Sequence, residues 1–171
     1  AIPNMTVFEP GDATEVETLL DPVAAAPGPV YIRMLRGEIP RLFSSEEPFL
    51  SEEPRLITRG SDITLLTSGI CTEEAMRVTK VLKNRGVCVE HVHVSTHKHF
   101  NSKPLLPSLA KAKYGVITME NHTIIGGLGS EVAEVMAENG LAVKLKRLGL
   151  SDTFAHGGSK SYLMRLYGLD A

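Results

Sequence analysis

The stretch Ile63-Thr64-Leu65-Leu66-Thr67-Ser68-Gly69-Ile70-Cys71-Thr72-Glu73-Glu74 decides the fold class. A short run rich in β-branched and leucine side chains breaks at Ser-Gly, the pattern of a strand entering a turn. Thr72 reads as a helix cap, with Glu73 and Glu74 in the first turn. Lys80, Lys83 and Arg85 fall in the last turn and Gly86 at the stop. Acidic start, basic end and terminal glycine all agree with the helix macrodipole and its capping preferences. Residues 87–94 then return as a second strand.

Downstream the alternation continues. Residues 104–113 read as a helix with Leu105, Leu106, Leu109 and Ala110 on one side, and residues 116–119 as a third strand. The turn Ile124-Ile125-Gly126-Gly127-Leu128-Gly129 opens a helix over residues 130–139, stopped by Gly140. Residues 142–148 form a fourth strand and residues 161–167 a final helix. Strands alternating with helices imply a three-layer α/β domain with a mostly parallel sheet covered on both faces.

Upstream, residues 5–8 read as a strand ended by Glu9-Pro10-Gly11, and Asp12 with Glu15 makes a capping-box-like helix start. Pro22 is expected to end or kink that helix, and residues 30–35 to form a second strand. Two strands and one helix cannot enclose a core, so this is a partial α/β segment. The acidic, proline-punctuated repeat Ser45-Glu46-Glu47-Pro48 and Ser51-Glu52-Glu53-Pro54 favours an extended linker. The expected organisation is a first segment over 1–43, a linker over 44–60 and an α/β domain over 61–171.

The 171 residues include 18 basic and 20 acidic side chains, so no basic excess draws the chain to nucleic acid or an anionic membrane. No apolar run approaches the length of a membrane span. The opening Ala1-Ile2-Pro3-Asn4 lacks the charged and apolar pattern of a signal peptide, and Cys71 and Cys88 read as reduced thiols. Together these favour a cytoplasmic setting.

Several residues carry chemistry. His91 and His93 project to one face of a strand, where two imidazoles can ligate zinc or copper. No cysteine or acidic ligand follows at recognised metal spacing, so no metal site is assigned. Gly126-Gly127-Leu128-Gly129 stands where a helix start can meet a phosphate, but it lacks G-x-G-x-x-G and a P-loop lysine and reads first as tight packing. Glu120, Asn121 and His122 follow a strand end, either as acid–base groups or as a polar loop or subunit contact. Arg33 and Arg36 bracket the end of the second strand, where a guanidinium fork suits an anion, although spacing alone reads them as surface arginines. No catalytic nucleophile stands out.

Several of these stretches together resemble one family. Ala1-Ile2-Pro3-Asn4-Met5-Thr6-Val7 with Pro10-Gly11-Asp12-Ala13 looks like the late pyrimidine-binding domain of transketolases. Gly28-Pro29-Val30-Tyr31-Ile32-Arg33 and Arg36-Gly37-Glu38-Ile39-Pro40 resemble the strand that ends that domain. Glu120-Asn121-His122 through Gly126-Gly127-Leu128-Gly129, then Asp152-Thr153-Phe154 and Tyr167-Gly168-Leu169-Asp170, are similar to its C-terminal domain. The likeness is to the split, two-subunit type, and more distantly to deoxyxylulose-phosphate synthase and 2-oxoacid dehydrogenase beta subunits.

The resemblance implies a transferase that moves a two-carbon ketol unit between sugar phosphates. It implies thiamine diphosphate and a divalent cation such as magnesium in the complete enzyme, held by an N-terminal section, with none expected on this chain alone. It implies that this section is a partner, that the complete enzyme is a homodimer, and that the isolated chain is inactive. The family's substrate-phosphate arginine aligns with Arg36, and Arg33 is second choice. No catalytic, cofactor or metal residue carries over, because the family's activating glutamate lies before the residues present here. The alternatives are a non-catalytic assembly module, or part of a deoxyxylulose-phosphate synthase or of a 2-oxoacid dehydrogenase beta subunit. The sequence departs from the family pattern at Pro22, at His97 and His99 where apolar and proline residues are usual, and in the duplicated acidic linker.

Overall fold

Leu65 and Leu66 point to opposite faces of strand β4 (Ile63–Thr67), and that two-residue alternation divides the core in two. The computed structural model describes residues 2–51 and 53–171. Ala1, which opens the first segment, and Glu52, in the second copy of the acidic repeat, lie outside the described residues.

Eight strands and six α-helices are described. β1 (Thr6–Phe8), α1 (Ala13–Thr18), α2 (Leu20–Ala25) and β2 (Val30–Ile32) form the first segment. β3 (Arg55–Thr58) precedes β4, which is followed by α3 (Cys71–Asn84), β5 (Val89–His93) and β6 (Thr96–Lys98). A 3-10 turn and α4 (Leu106–Ala110), β7 (Gly115–Thr123), α5 (Leu128–Glu138), β8 (Leu145–Leu150) and α6 (Lys160–Leu166) complete the chain.

The larger sheet has the order β3-β5-β4-β7-β8, parallel except at edge strand β3. Leu66, Val92, Val116, Leu128 and Val132 fill the layer toward α4 and α5. Leu65, Cys71, Ala75, Met119 and Met164 fill the layer toward α3 and α6. The expected three-layer, mostly parallel architecture is therefore observed.

The interruption expected from Pro22 is observed: α1 stops at Leu19 and α2 restarts with Pro22 in its first turn, where its missing N–H has no intrahelical role. Three other local expectations differ. Thr72 lies inside α3, its hydroxyl turned to Thr67 and His93, and Ile70 takes the cap position. β2 ends at Ile32, so Arg36 lies in the bend beyond it. β7 runs to Thr123, so Glu120, Asn121 and His122 lie on a strand and face alternate sides.

The region read as linker is partly packed. Phe49 is buried and meets Phe8 edge-on at 5.2 Å, closing a small core with Leu19. Phe43 is buried beside His93, and residues 55–58 add strand β3 to the larger sheet. The first segment completes its own sheet with a strand from later in the chain, in the order β2-β1-β6. A cut between linker and domain would separate paired strands.

The two parts are also joined by a buried polar chain. His91 Nε2 lies 2.8 Å from Thr67 Oγ1, which is 3.0 Å from Thr72 Oγ1. That hydroxyl lies 2.7 Å from His93 Nδ1, and His93 Nε2 donates to Glu15 at 2.9 Å. Glu15 also accepts from the Gly11 N–H and the Ser95 hydroxyl, and Arg55 lies beside it. Burial favours protonating Glu15, but the charge and hydrogen bond of His93, the Gly11 N–H and Arg55 outweigh it and bring its pKa to about 2. Burial pushes the His91 pKa down to about 3, with neighbouring His93 acting the same way.

Removing Glu15 strands His93 and Arg55 in the interior. Glu15→Ala should therefore cost about 3–5 kcal/mol in urea unfolding, the scale for breaking a buried ion pair. An unfolded Glu15 takes up its proton near pH 4.5 and the folded one only near about 2. Its contribution is present above about pH 4.5 and is lost as the pH falls through that window. The urea midpoint of Glu15→Gln should fall less steeply than that of the native chain between these limits.

Candidate functional site

The C-terminal ends of β1, β2, β4 and β7 come together, and a cleft of about 660 Å³ opens there between the first segment and the larger sheet. Glu9, Arg33, Arg36, Gly69 and Asn121 are among its walls. Strand ends meeting at one edge are where open α/β sheets collect ligands.

Glu9 follows β1 and is 5% exposed, deep enough that its charge must be paired. Arg33 bonds to one of its oxygens and His97 Nε2 donates to the other at 3.1 Å. Burial would raise the Glu9 pKa, but the His97 hydrogen bond and the Arg33 charge bring it to about 2. Arg33 also donates to Asn121 Oδ1 at 2.6 Å and to the Asn121 carbonyl at 3.0 Å. A guanidinium from the first segment thus grips a strand of the larger sheet. Gly69 turns at φ +50, and a Cβ there would lie 2.6 Å from Glu9 Oε1, so only glycine fits beneath the carboxylate.

Arg36 is exposed and lines the same cleft. The structure therefore brings Arg33 and Arg36 to one cavity in different roles: most of the Arg33 fork is committed, and the Arg36 side chain faces solvent.

The other sequence candidates lie elsewhere. His91 and His93 are fully buried against α3, in the polar chain described above. Among the described residues no group of three or more His, Cys, Asp or Glu is placed to hold a metal. Cys71 is buried, its thiol pKa raised by burial and by the Glu9 and Glu120 charges, and Cys88 is exposed; both are free. Among the described residues no helix is long and apolar enough to cross a membrane.

The glycine turn is occupied from within. Glu120 accepts from the Leu128 and Gly129 N–H groups at 2.8 Å each, so the free N–H groups that start α5 are capped by the chain itself. Burial raises the Glu120 pKa against those hydrogen bonds. His122 Nδ1 lies 2.8 Å from the Thr123 carbonyl oxygen. Glu120 is a helix cap and Asn121 an anchor for Arg33.

Sequence reasoning missed Glu9 and read Asn121 as loop. A glutamate at a predicted strand end before Pro-Gly was the available signal, but its partners lie 24 and 88 residues away.

A profile of the transketolase C-terminal domain matches residues 53–171. The chain belongs to the transketolase C-terminal domain family. It is 38% identical over 172 residues to a protein of Methanocaldococcus jannaschii described as a transketolase C-terminal section, covering 99% of this chain and 53% of that protein. It is 38% identical over 170 residues to a 6-deoxy-6-sulfo-D-fructose transketolase subunit of Clostridium sp., covering 99% and 52%. A split-gene transketolase solved as an inactive beta4 tetramer superposes with a TM-score of 0.91 at 34% identity, covering 99% of this chain and 55% of that one. Transketolase of Pichia stipitis shares the fold at 18% identity, with a TM-score of 0.75 over 99% of this chain and 24% of that one. The chain spans about half the length of the two curated relatives named here.

The transketolase-like glycine turn offers a steric test. A Cβ on Gly127 would fall 1.9 Å from Glu120 Oε2, whereas one on Gly157 meets nothing within 4 Å. Gly127→Ala should destabilise the fold by about 2–3 kcal/mol in urea titration, in the upper range for overpacking. Gly157→Ala should stay within about 0.5 kcal/mol of the native chain.

Proposed function

We propose that this chain is the C-terminal section of a thiamine diphosphate-dependent transketolase that transfers a two-carbon ketol unit between sugar phosphates. The observation that carries this is the match over 99% of the chain, at 34% identity and a TM-score of 0.91, to a split-gene transketolase chain. It joins first segment and α/β domain in the same arrangement. Within the enzyme the chain contributes the substrate-phosphate contact and the contacts between domains and between copies of a homodimer. Its setting is the cytoplasm.

Arg36 is the proposed phosphate ligand. It lines the cleft at the strand ends and its fork can offer two parallel N–H donors to a phosphate. Arg33 is the second ligand in rank, adding charge while Glu9 and Asn121 hold it in place.

Thiamine diphosphate and magnesium are assigned to the partner N-terminal section. The N–H groups at the start of α5 are capped by Glu120, and the buried carboxylates Glu9, Glu15 and Glu90 are each paired with arginine, histidine or lysine. These residues do not fit a diphosphate–metal site, and no step through the cofactor is derived from them.

A non-catalytic assembly role is the second reading, favoured by the beta4 tetramer of the split-gene relative, which is inactive. Mixing decides between the two. The chain alone should show no ketol transfer, and adding an N-terminal section with thiamine diphosphate and magnesium should restore it; failure of every such pair to gain activity favours the assembly role. In the active pair, Arg36→Ala should weaken use of a phosphorylated donor by about 1.5–3 kcal/mol, the scale of a charge-assisted hydrogen bond, chiefly in KM. Arg36→Lys should recover part of it. Equal loss on a non-phosphorylated donor would make Arg36 structural.

A further inference from the structure

His97 joins two carboxylates from distant elements. Its Nε2 lies 3.1 Å from Glu9 Oε2 and its Nδ1 lies 3.0 Å from Glu131 Oε2, in the first turn of α5. Ionised carboxylate oxygens only accept hydrogen bonds, so both ring nitrogens carry protons and the ring is a cation. The bonds close a circuit: Glu131 to His97, His97 to Glu9, Glu9 to Arg33, Arg33 to Asn121. Next to Asn121, Glu120 caps the same helix that carries Glu131.

We propose that His97 is a positioning residue of the cleft, neutralising Glu9 and Glu131 together and thereby setting how tightly the cleft holds a phosphate dianion. The inference rests on the reading of the cleft as a substrate-phosphate site.

The charges that face His97 can be counted. Glu9 comes from the turn after β1 and Glu131 from α5; Arg33 reaches the cluster through Glu9, and the Glu120 carboxyl on β7 also feels the His97 charge. Neighbouring Lys98 turns its ammonium to the Ile2 carbonyl. With the ring charged, Arg33 and His97 balance Glu9 and Glu131. With it neutral, one negative charge is left over between Glu9 and half-buried Glu131, beside the wall that Glu9 forms. A dianion approaching Arg36 then meets repulsion, and Arg33 is drawn harder onto Glu9. Burial opposes the cation, but the hydrogen bonds and charges of Glu131 and Glu9 outweigh it and hold its pKa up to about 9. The ring is therefore charged below about pH 9 and loses its charge above it.

The test uses the full chain titrated with inorganic phosphate at about pH 8 and about pH 10, reading the 13C signals of the Arg36 side chain. Native chain should bind saturably at pH 8 and more weakly at pH 10. His97→Gln should raise the Kd about fivefold at pH 8, the scale of one unit charge in a partly screened site, and remove most of the pH dependence. His97→Arg keeps a permanent cation with donors for both carboxylates, so it should bind within about twofold of native at both pH values. A folded His97→Gln that binds as the native chain does, or a folded His97→Arg as weak as His97→Gln, overturns the inference. If Arg36→Ala abolishes binding while His97→Gln leaves it unchanged, the phosphate reading stands and the role of His97 falls. Phosphate that leaves the native Arg36 signals unmoved overturns both.

Discussion

The Glu9 carboxylate, out of solvent between Arg33 and His97, is the constraint around which the cleft is arranged. A carboxylate this deeply buried is tolerated only with charged partners, and its two partners come from distant parts of the chain. Arg33 ties the end of β2 to Asn121 on β7, and His97 ties β6 to α5. Gly69 leaves the space in which the carboxylate sits. The same interaction that docks the first segment on the larger sheet therefore shapes the wall opposite Arg36.

A second carboxylate repeats the principle further inside. Glu15 is held by His93, Ser95, Gly11 and Arg55, and the hydroxyls of Thr67 and Thr72 carry the chain on to His91. His91 Nδ1 is buried without a partner, which suits a neutral ring whose single proton lies on Nε2 toward Thr67. Two glutamates from a single turn-and-helix stretch thus fasten the first segment at two depths. A docked segment of this kind behaves as part of one folded body, and β6 crossing into its sheet has the same effect.

Much of the fold was legible because its signals are local. β4 runs over the residues that the sequence reading assigned, and Gly86 and Gly140 mark the ends of α3 and α5 as glycine at a helix stop should. The family was legible because its motifs occur in order along most of the chain. What escaped depends on distant partners. Thr72 looked like a cap because nothing near it in sequence announces His93, 21 residues on. The acidic linker looked extended because composition cannot register that Phe43 and Phe49 find buried sites. At the cleft, the arginines were visible, but the division of labour between Arg33 and Arg36 follows from Glu9 and Asn121, residues that no spacing connects to them.

The central claim is that this chain completes a transketolase and presents Arg36 to the substrate phosphate. The most direct measurement is a crystal structure of the chain assembled with an N-terminal section, cofactor and a sugar phosphate. The account predicts the phosphate within hydrogen-bond distance of the Arg36 guanidinium, with Arg33 still bonded to Glu9 and Asn121. A sugar phosphate bound with its phosphate held wholly by the partner section, and Arg36 turned to solvent, would contradict it.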